Sequence, residues 1–167
     1  MKTRILACGM LVLVALGGAA TARSGQPAIR GAHAILPGGP APAALVGRYR
    51  ARFSLDEFRG APDPSSVPSE DSTQELVILN SSLGGKPELG IHGADGKSGG
   101  PPIPFGVKGS RMYLSCLGAG GRPTRAFATY QWSLRGKLLT VKTVTSPCRG
   151  NQTFLLTTHV WRKIAAR

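Results

Sequence analysis

The sequence predicts an all-β protein, a closed antiparallel barrel of about eight strands carrying one disulfide. Three observations lead there. Short runs of alternating apolar and polar residues recur along the chain with Gly and Pro between them. No stretch carries an amphipathic helix of useful length. Strands at such spacing with turn signals fit a barrel or a sandwich, and closure into a barrel removes the sheet edges that would otherwise need protection.

The first element is not part of the barrel. Lys2 and Arg4 precede an apolar run from Ile5 to Leu16, and Ala20-Thr21-Ala22 has the small-x-small form of a signal-peptidase site. Residues 1–22 therefore read as a cleaved signal peptide, with Arg23 as the mature start and a secreted or extracytoplasmic destination. Leu6-Ala7-Cys8 resembles a lipidation box, but Cys8 comes before most of the apolar run instead of after it. The segment 23–44, rich in Gly, Pro and Ala without a sustained period, reads as a flexible leader. Residues 45–167 make the barrel domain.

Leu45 to Ser54 is the first predicted strand, with Tyr49, Ala51 and Phe53 on one face and Arg48, Arg50 and Arg52 on the other. Leu55 to Ser72 is expected to be a loop, because Pro62, Pro64 and Pro68 exclude a central strand. It and its borders hold six of the eight acids. Glu75–Asn80, Glu88–His92, Phe105–Val107 and Ser110–Leu117 follow as strands, with a Gly/Pro-rich connection from Gly93 to Pro104 and a turn from Gly118 to Pro123. Ala126–Leu134 and Leu138–Thr145 form a hairpin turning at Arg135-Gly136, with Tyr130, Trp132 and Leu134 pointing inward. Gln152–Ile164 is expected as one last strand, with Phe154, Leu156, Val160 and Ile164 on one face and His159 and Trp161 on the other.

Cysteine usage agrees with export. Signal cleavage leaves only Cys116 and Cys148, which most simply form a disulfide. Two cysteines without further ligands at metal spacing do not make a zinc site, so no metal or cofactor is expected. Asn80-Ser81-Ser82 and Asn151-Gln152-Thr153 match the acceptor pattern for N-glycosylation.

Gly47-Arg48-Tyr49 at the start of the first strand resembles the Gly-x-Trp opening of lipocalins, with Tyr in place of Trp. Tyr130-Gln131-Trp132-Ser133-Leu134, Leu139-Thr140-Val141, Pro147-Cys148-Arg149, Phe154-Leu155-Leu156 and Trp161-Arg162 resemble small exported bacterial lipocalin-like proteins. The resemblance covers Gly109 to Lys163 best. It implies a calycin-type barrel and a basic residue, Arg162 by position, over the first-strand aromatic; the sequence departs from that pattern in Tyr49 and in lacking the usual flanking helix after the last strand.

Function is read mainly by exclusion. The chain has no nucleophile elbow, phosphate loop or zinc-binding His pair, so a non-enzymatic role is expected. The leading expectation is a binding module for a small apolar or amphipathic ligand, held by Tyr49, Phe53, Tyr130 and Trp132. Charge suggests the alternative. The net charge is +13, and residues 96–167 contain twelve Lys and Arg and no acid. Such a field attracts polyanions, so an anionic envelope surface or polysaccharide is the alternative partner. Nucleic acid is not expected, since no recognition motif or stacking stripe accompanies the charge. The closed barrel is expected to be a monomer.

Overall fold

The computed structural model describes residues 35–63, 68, 70–80, 87–96, 99–148 and 150–165. The expected signal peptide and most of the expected leader lie outside that set. The architecture is a closed antiparallel barrel in which eight strands follow one another in chain order, β1-β2-β3-β4-β5-β6-β7-β8. The strands are β1 Gly47–Phe53, β2 Ser72–Leu79, β3 Glu88–Gly93, β4 Ile103–Lys108, β5 Arg111–Leu117, β6 Pro123–Arg135, β7 Leu138–Thr145 and β8 Trp161–Ile164. Two short helices interrupt the meander, α1 Leu55–Arg59 and α2 Gln152–Thr158. The Cys116–Cys148 disulfide is formed.

Alternation decides what faces inward. Tyr49, Ala51 and Phe53 of β1, Leu76 and Ile78 of β2, Met112 and Leu114 of β5, Ala128 and Tyr130 of β6, Leu139 and Val141 of β7, and Trp161 of β8 form one continuous buried core. Trp132 and Leu134 continue the inward face of β6 and pack, partly buried, against that core. The hairpin register pairs Arg135 with Leu138, so the turn is Gly136-Lys137 and not Arg135-Gly136. Gly136 takes a φ of +59° and Lys137 does not turn positive, the pattern of a type II′ turn with glycine at its first central position.

The segment expected to be a leader up to Ala44 meets the barrel earlier. Gly39 pairs with Val107 through two backbone hydrogen bonds of 3.0 and 2.9 Å. This occupies the flank of β4 that β3 does not reach, because those two strands pair only at Leu89↔Ile103 and Glu88↔Pro104. Gly106 is needed for the crossing, since a Cβ there would lie 2.4 Å from the Pro37 carbonyl oxygen.

The single last strand expected over Gln152–Ile164 is instead α2 followed by β8. Helical spacing buries Leu156 over the barrel end. The hydroxyls of Thr157 and Thr158 donate back to the carbonyls of Thr153 and Phe154, at 2.9 and 2.7 Å, so residues that favour strands are accommodated in a helix. Strand phase restarts after the helix. Trp161 is therefore fully buried while Val160 is half exposed, the reverse of the expected faces. The loop expected over Leu55–Ser72 likewise opens with α1. Ser54 and Glu57 form a capping box, and Ser54-Leu55-Asp56-Glu57 is legible as one in the sequence.

Candidate functional site

The two ends of the barrel are built differently. At the entry end, where the chain enters β1, the Tyr49 hydroxyl donates to the Leu45 carbonyl at 2.7 Å. Lys163 lies over the Tyr49 ring at 5.5 Å from its centroid and donates to the Ala44 carbonyl at 2.6 Å. The place over the first-strand aromatic thus belongs to Lys163 and not to Arg162. Register gives the reason: Tyr49 pairs with Lys163, so Lys163 points inward with Trp161 while Arg162 points outward opposite Arg50. Gly47 makes room for the lysine stem with a φ of +144°, where a Cβ would meet Lys163 Cε at 2.8 Å. Burial raises the Tyr49 phenol from 10.0 to about 12.

At the helix end, Phe53 is the centre of an aromatic group. Phe58 stacks on it at 5.4 Å, His159 meets it edge-on at 4.4 Å, and Trp161 and Phe154 lie at 6.0 and 6.4 Å. Polar bonds tie the helices down. Trp161 Nε1 donates to the Leu156 carbonyl at 3.0 Å. The Thr153 hydroxyl meets those of Tyr130 and Ser146 at 2.8 and 2.7 Å. Burial raises the Tyr130 phenol above its ordinary value, against the opposing effect of these bonds. His159 Nε2 lies 2.9 Å from Glu57 Oε1 without hydrogen-bond alignment, so the contact is an ion pair only when the ring is protonated. Glu57 itself is held below the usual carboxylate range, first by the Ser54 backbone N–H and then by its hydroxyl.

The four residues expected to bind ligand do not surround an opening. Tyr49, Phe53 and Tyr130 have no exposure and Trp132 is partly buried; they belong to the packed interior. A cavity of about 530 Å³ lies elsewhere, at the helix end. Phe58 of α1, Leu155 and Gln152 of α2, Gln74 of β2, Ile91 of β3 and Leu117 of β5 line it, with Asp63, Asn151 and a border of Gly99, Gly100 and Pro101. It lies where the β3–β4 ladder is interrupted beyond Leu89: Pro101 and Pro102 cannot continue it, and the chain meets β3 again at the His92–Gly99 bridge. Gln74 is the informative residue. It is buried in phase with Leu76 and Ile78, and its amide donates to Ser72 Oγ at 2.9 Å. A strand phase that puts an amide among aliphatic residues was the sequence signal for this place.

The disulfide and Asn151 keep the cavity wall together. Cys116 of β5 is joined to the segment before α2. The Asn151 amide bonds both backbone groups of Asp63, accepting from N at 2.9 Å and donating to O at 2.8 Å. Asn80 does the same with Ala41, at 2.6 and 2.7 Å. Both asparagines of the glycosylation patterns therefore use their amide nitrogens inside the fold. Among the described residues, no three His, Cys, Asp or Glu gather as metal ligands. No family model, curated protein or solved structure matches this chain.

Proposed function

We propose that this protein is an exported, non-catalytic binding module that takes one small apolar or amphipathic molecule at the helix end of the barrel. The observation that carries the reading is the cavity of about 530 Å³ between α1, α2 and the parting of β3 from β4. That volume falls in the ~300–1,000 Å³ range of small-molecule sites. Phe58, Ile91, Leu117 and Leu155 offer apolar burial, while Gln74 and Gln152 supply amide donors and acceptors that orient a polar head. The site moves from the barrel centre expected from alternation to its rim, because Tyr49, Phe53 and Tyr130 are consumed by packing. The signal-like N-terminus and the disulfide support an oxidising compartment.

The test is titration with a neutral apolar dye and a series of fatty alcohols. Saturable binding is expected, indifferent to salt and weakened roughly tenfold or more by Leu117→Trp or Leu155→Trp, each of which fills part of the cavity. Binding that ignores both substitutions would remove the site from this place.

One observation favours a second reading, a basic envelope protein contacting polyanions. Among the ion pairs of the described residues, the carboxylates are met by Arg48, Arg50, Arg52, Arg59 and His159, and no Lys or Arg beyond Asp95 takes part. Lys108, Arg111, Arg135 and Lys137 stand exposed at the entry-end hairpin tips. Retention on an anionic polysaccharide matrix that falls steeply with salt would select this reading.

A further inference from the structure

One row of outward side chains crosses five strands: Leu138 of β7, Arg162 of β8, Arg50 of β1, Glu75 of β2 and His92 of β3 stand directly opposite one another in turn. Glu75 is 5% exposed although it faces outward. Both of its oxygens are taken. Arg50 donates to Oε1 from Nε at 2.8 Å and Nη2 at 2.6 Å. Arg48 donates to Oε2 from Nε at 3.2 Å and also from Nη2. Burial alone would raise the Glu75 carboxyl, but the two guanidinium groups outweigh it and hold it below the usual range.

The arrangement fixes two guanidinium forks and leaves their charge in excess. Each arginine spends one edge on Glu75, and Nη1 of each has no hydrogen-bond partner among the described residues. Arg162 is exposed, has no carboxylate partner among the described residues, and is the direct cross-strand neighbour of Arg50. Like charges placed directly opposite in a sheet destabilise it. Three guanidinium charges against one carboxylate leave two positive charges on this wall. An arginine pair held by a buried carboxylate is also an oriented donor set, which suits tetrahedral oxyanions better than flexible lysines do.

We propose that Arg48, Arg50 and Arg162 form an oxyanion site on the outer wall of the barrel, oriented by Glu75 and matched to the dianion of a phosphate monoester. Arg50 and Arg162 bracket the anion and neutralise their own repulsion through it, while Arg48 completes the donor set. The site is independent of the helix-end cavity, since it lies on the opposite side of the β1 and β2 wall from Gln74.

Titration of the intact protein with inorganic phosphate, followed by the NMR signals of arginine Nε–H groups, tests it. Saturable shifts confined to Arg48, Arg50 and Arg162 are expected. Arg162→Gln should weaken binding roughly tenfold, the loss of one charge-assisted bond, while Lys142→Gln changes it less than about twofold. In phosphate-free buffer Arg162→Gln should melt no lower than the parent, because it removes a like-charge pair. That result separates loss of the site from loss of the fold, and Arg50→Gln provides a second variant. A parallel arm uses phosphatidylcholine vesicles with and without phosphatidic acid. Tighter binding to the phosphatidic acid vesicles than to free phosphate assigns the anion to a lipid headgroup, and equal binding assigns it to a soluble phosphate. Shifts that never saturate, or equal losses in Arg162→Gln and Lys142→Gln, would overturn the site in favour of diffuse attraction.

Discussion

The entry end and the helix end of this barrel solve the same problem by different means. Both must cover the open rim of a cylinder whose interior is apolar. The entry end does it with neighbours in register: Tyr49 is sealed by Leu45, four residues before it, and by Lys163, its cross-strand partner. The helix end relies on contacts made outside the sheet ladder. Helices of five and seven residues are too short to stand alone. They are held by the Phe53 aromatic group, by Asn151 reaching Asp63 eighty-eight residues away, and by a disulfide spanning 32 residues. The interior around Tyr49 is filled, and the space of about 550 Å³ on that side lies where residues 35–40 cross Pro87, Glu88 and Pro104, while the helix end holds its cavity of about 530 Å³ beneath α1 and α2. Ladder pairing fixes each side chain's neighbour and so permits tight packing, whereas a lid assembled from helices, a cystine and glycine-rich borders leaves space where the pieces meet.

The largest expected effect breaks the helix end from inside. Trp161 is fully buried, contacts Phe53 and anchors α2 through its indole nitrogen. Trp161→Ala should cost about 3–5 kcal/mol in chemical denaturation, as large-to-small substitutions of buried aromatics do. A cost below about 1 kcal/mol would mean that the lid, and not the core, owns this residue.

Removing the cystine comes next and sharpens the contrast. For a loop of 32 residues the chain-entropy model gives about 3–4 kcal/mol. In the Cys116→Ala/Cys148→Ala protein, hydrogen exchange should accelerate in α2 and around Asn151, with the amides of β1 near Tyr49 changing only with global stability. Uniform acceleration through both ends would show that they are one cooperative unit.

The smallest effect probes the entry end and appears only at alkaline pH. The Tyr49 phenol is raised from 10.0 to about 12 in the fold. A raised value means that the folded state resists losing the proton. Its contribution is complete below the ordinary value and is lost as pH rises from about 10 to about 12, amounting to about 2–3 kcal/mol. Denaturation midpoints should fall through that interval in the parent and less in Tyr49→Phe. Identical profiles for the two proteins would place the alkaline transition elsewhere, with Tyr130 the next phenol to replace.

What the sequence determined by itself was the barrel. Where a run of period-two alternation has strand neighbours on both sides, its phase is fixed, because slipping it would expose a whole apolar face. Hence β1, β5, β6 and β7 lie where periodicity places them, and Cys116 finds Cys148. Tertiary structure decided what periodicity does not encode. Whether Gln152–Thr158 becomes helix or strand depends on the barrel end that buries Leu156 and on Trp161 and Tyr130 binding its polar groups. Whether Lys163 or Arg162 covers Tyr49 depends on where β8 restarts after that helix. The early parting of β3 from β4 is also a property of the closed sheet, since strand stagger is shared around the whole circumference. The cavity of about 530 Å³ lies there, and not among the aromatic residues that alternation singled out. Side chains that alternate inward compete to fill one another's space. A cavity survives where the backbone itself departs from the ladder.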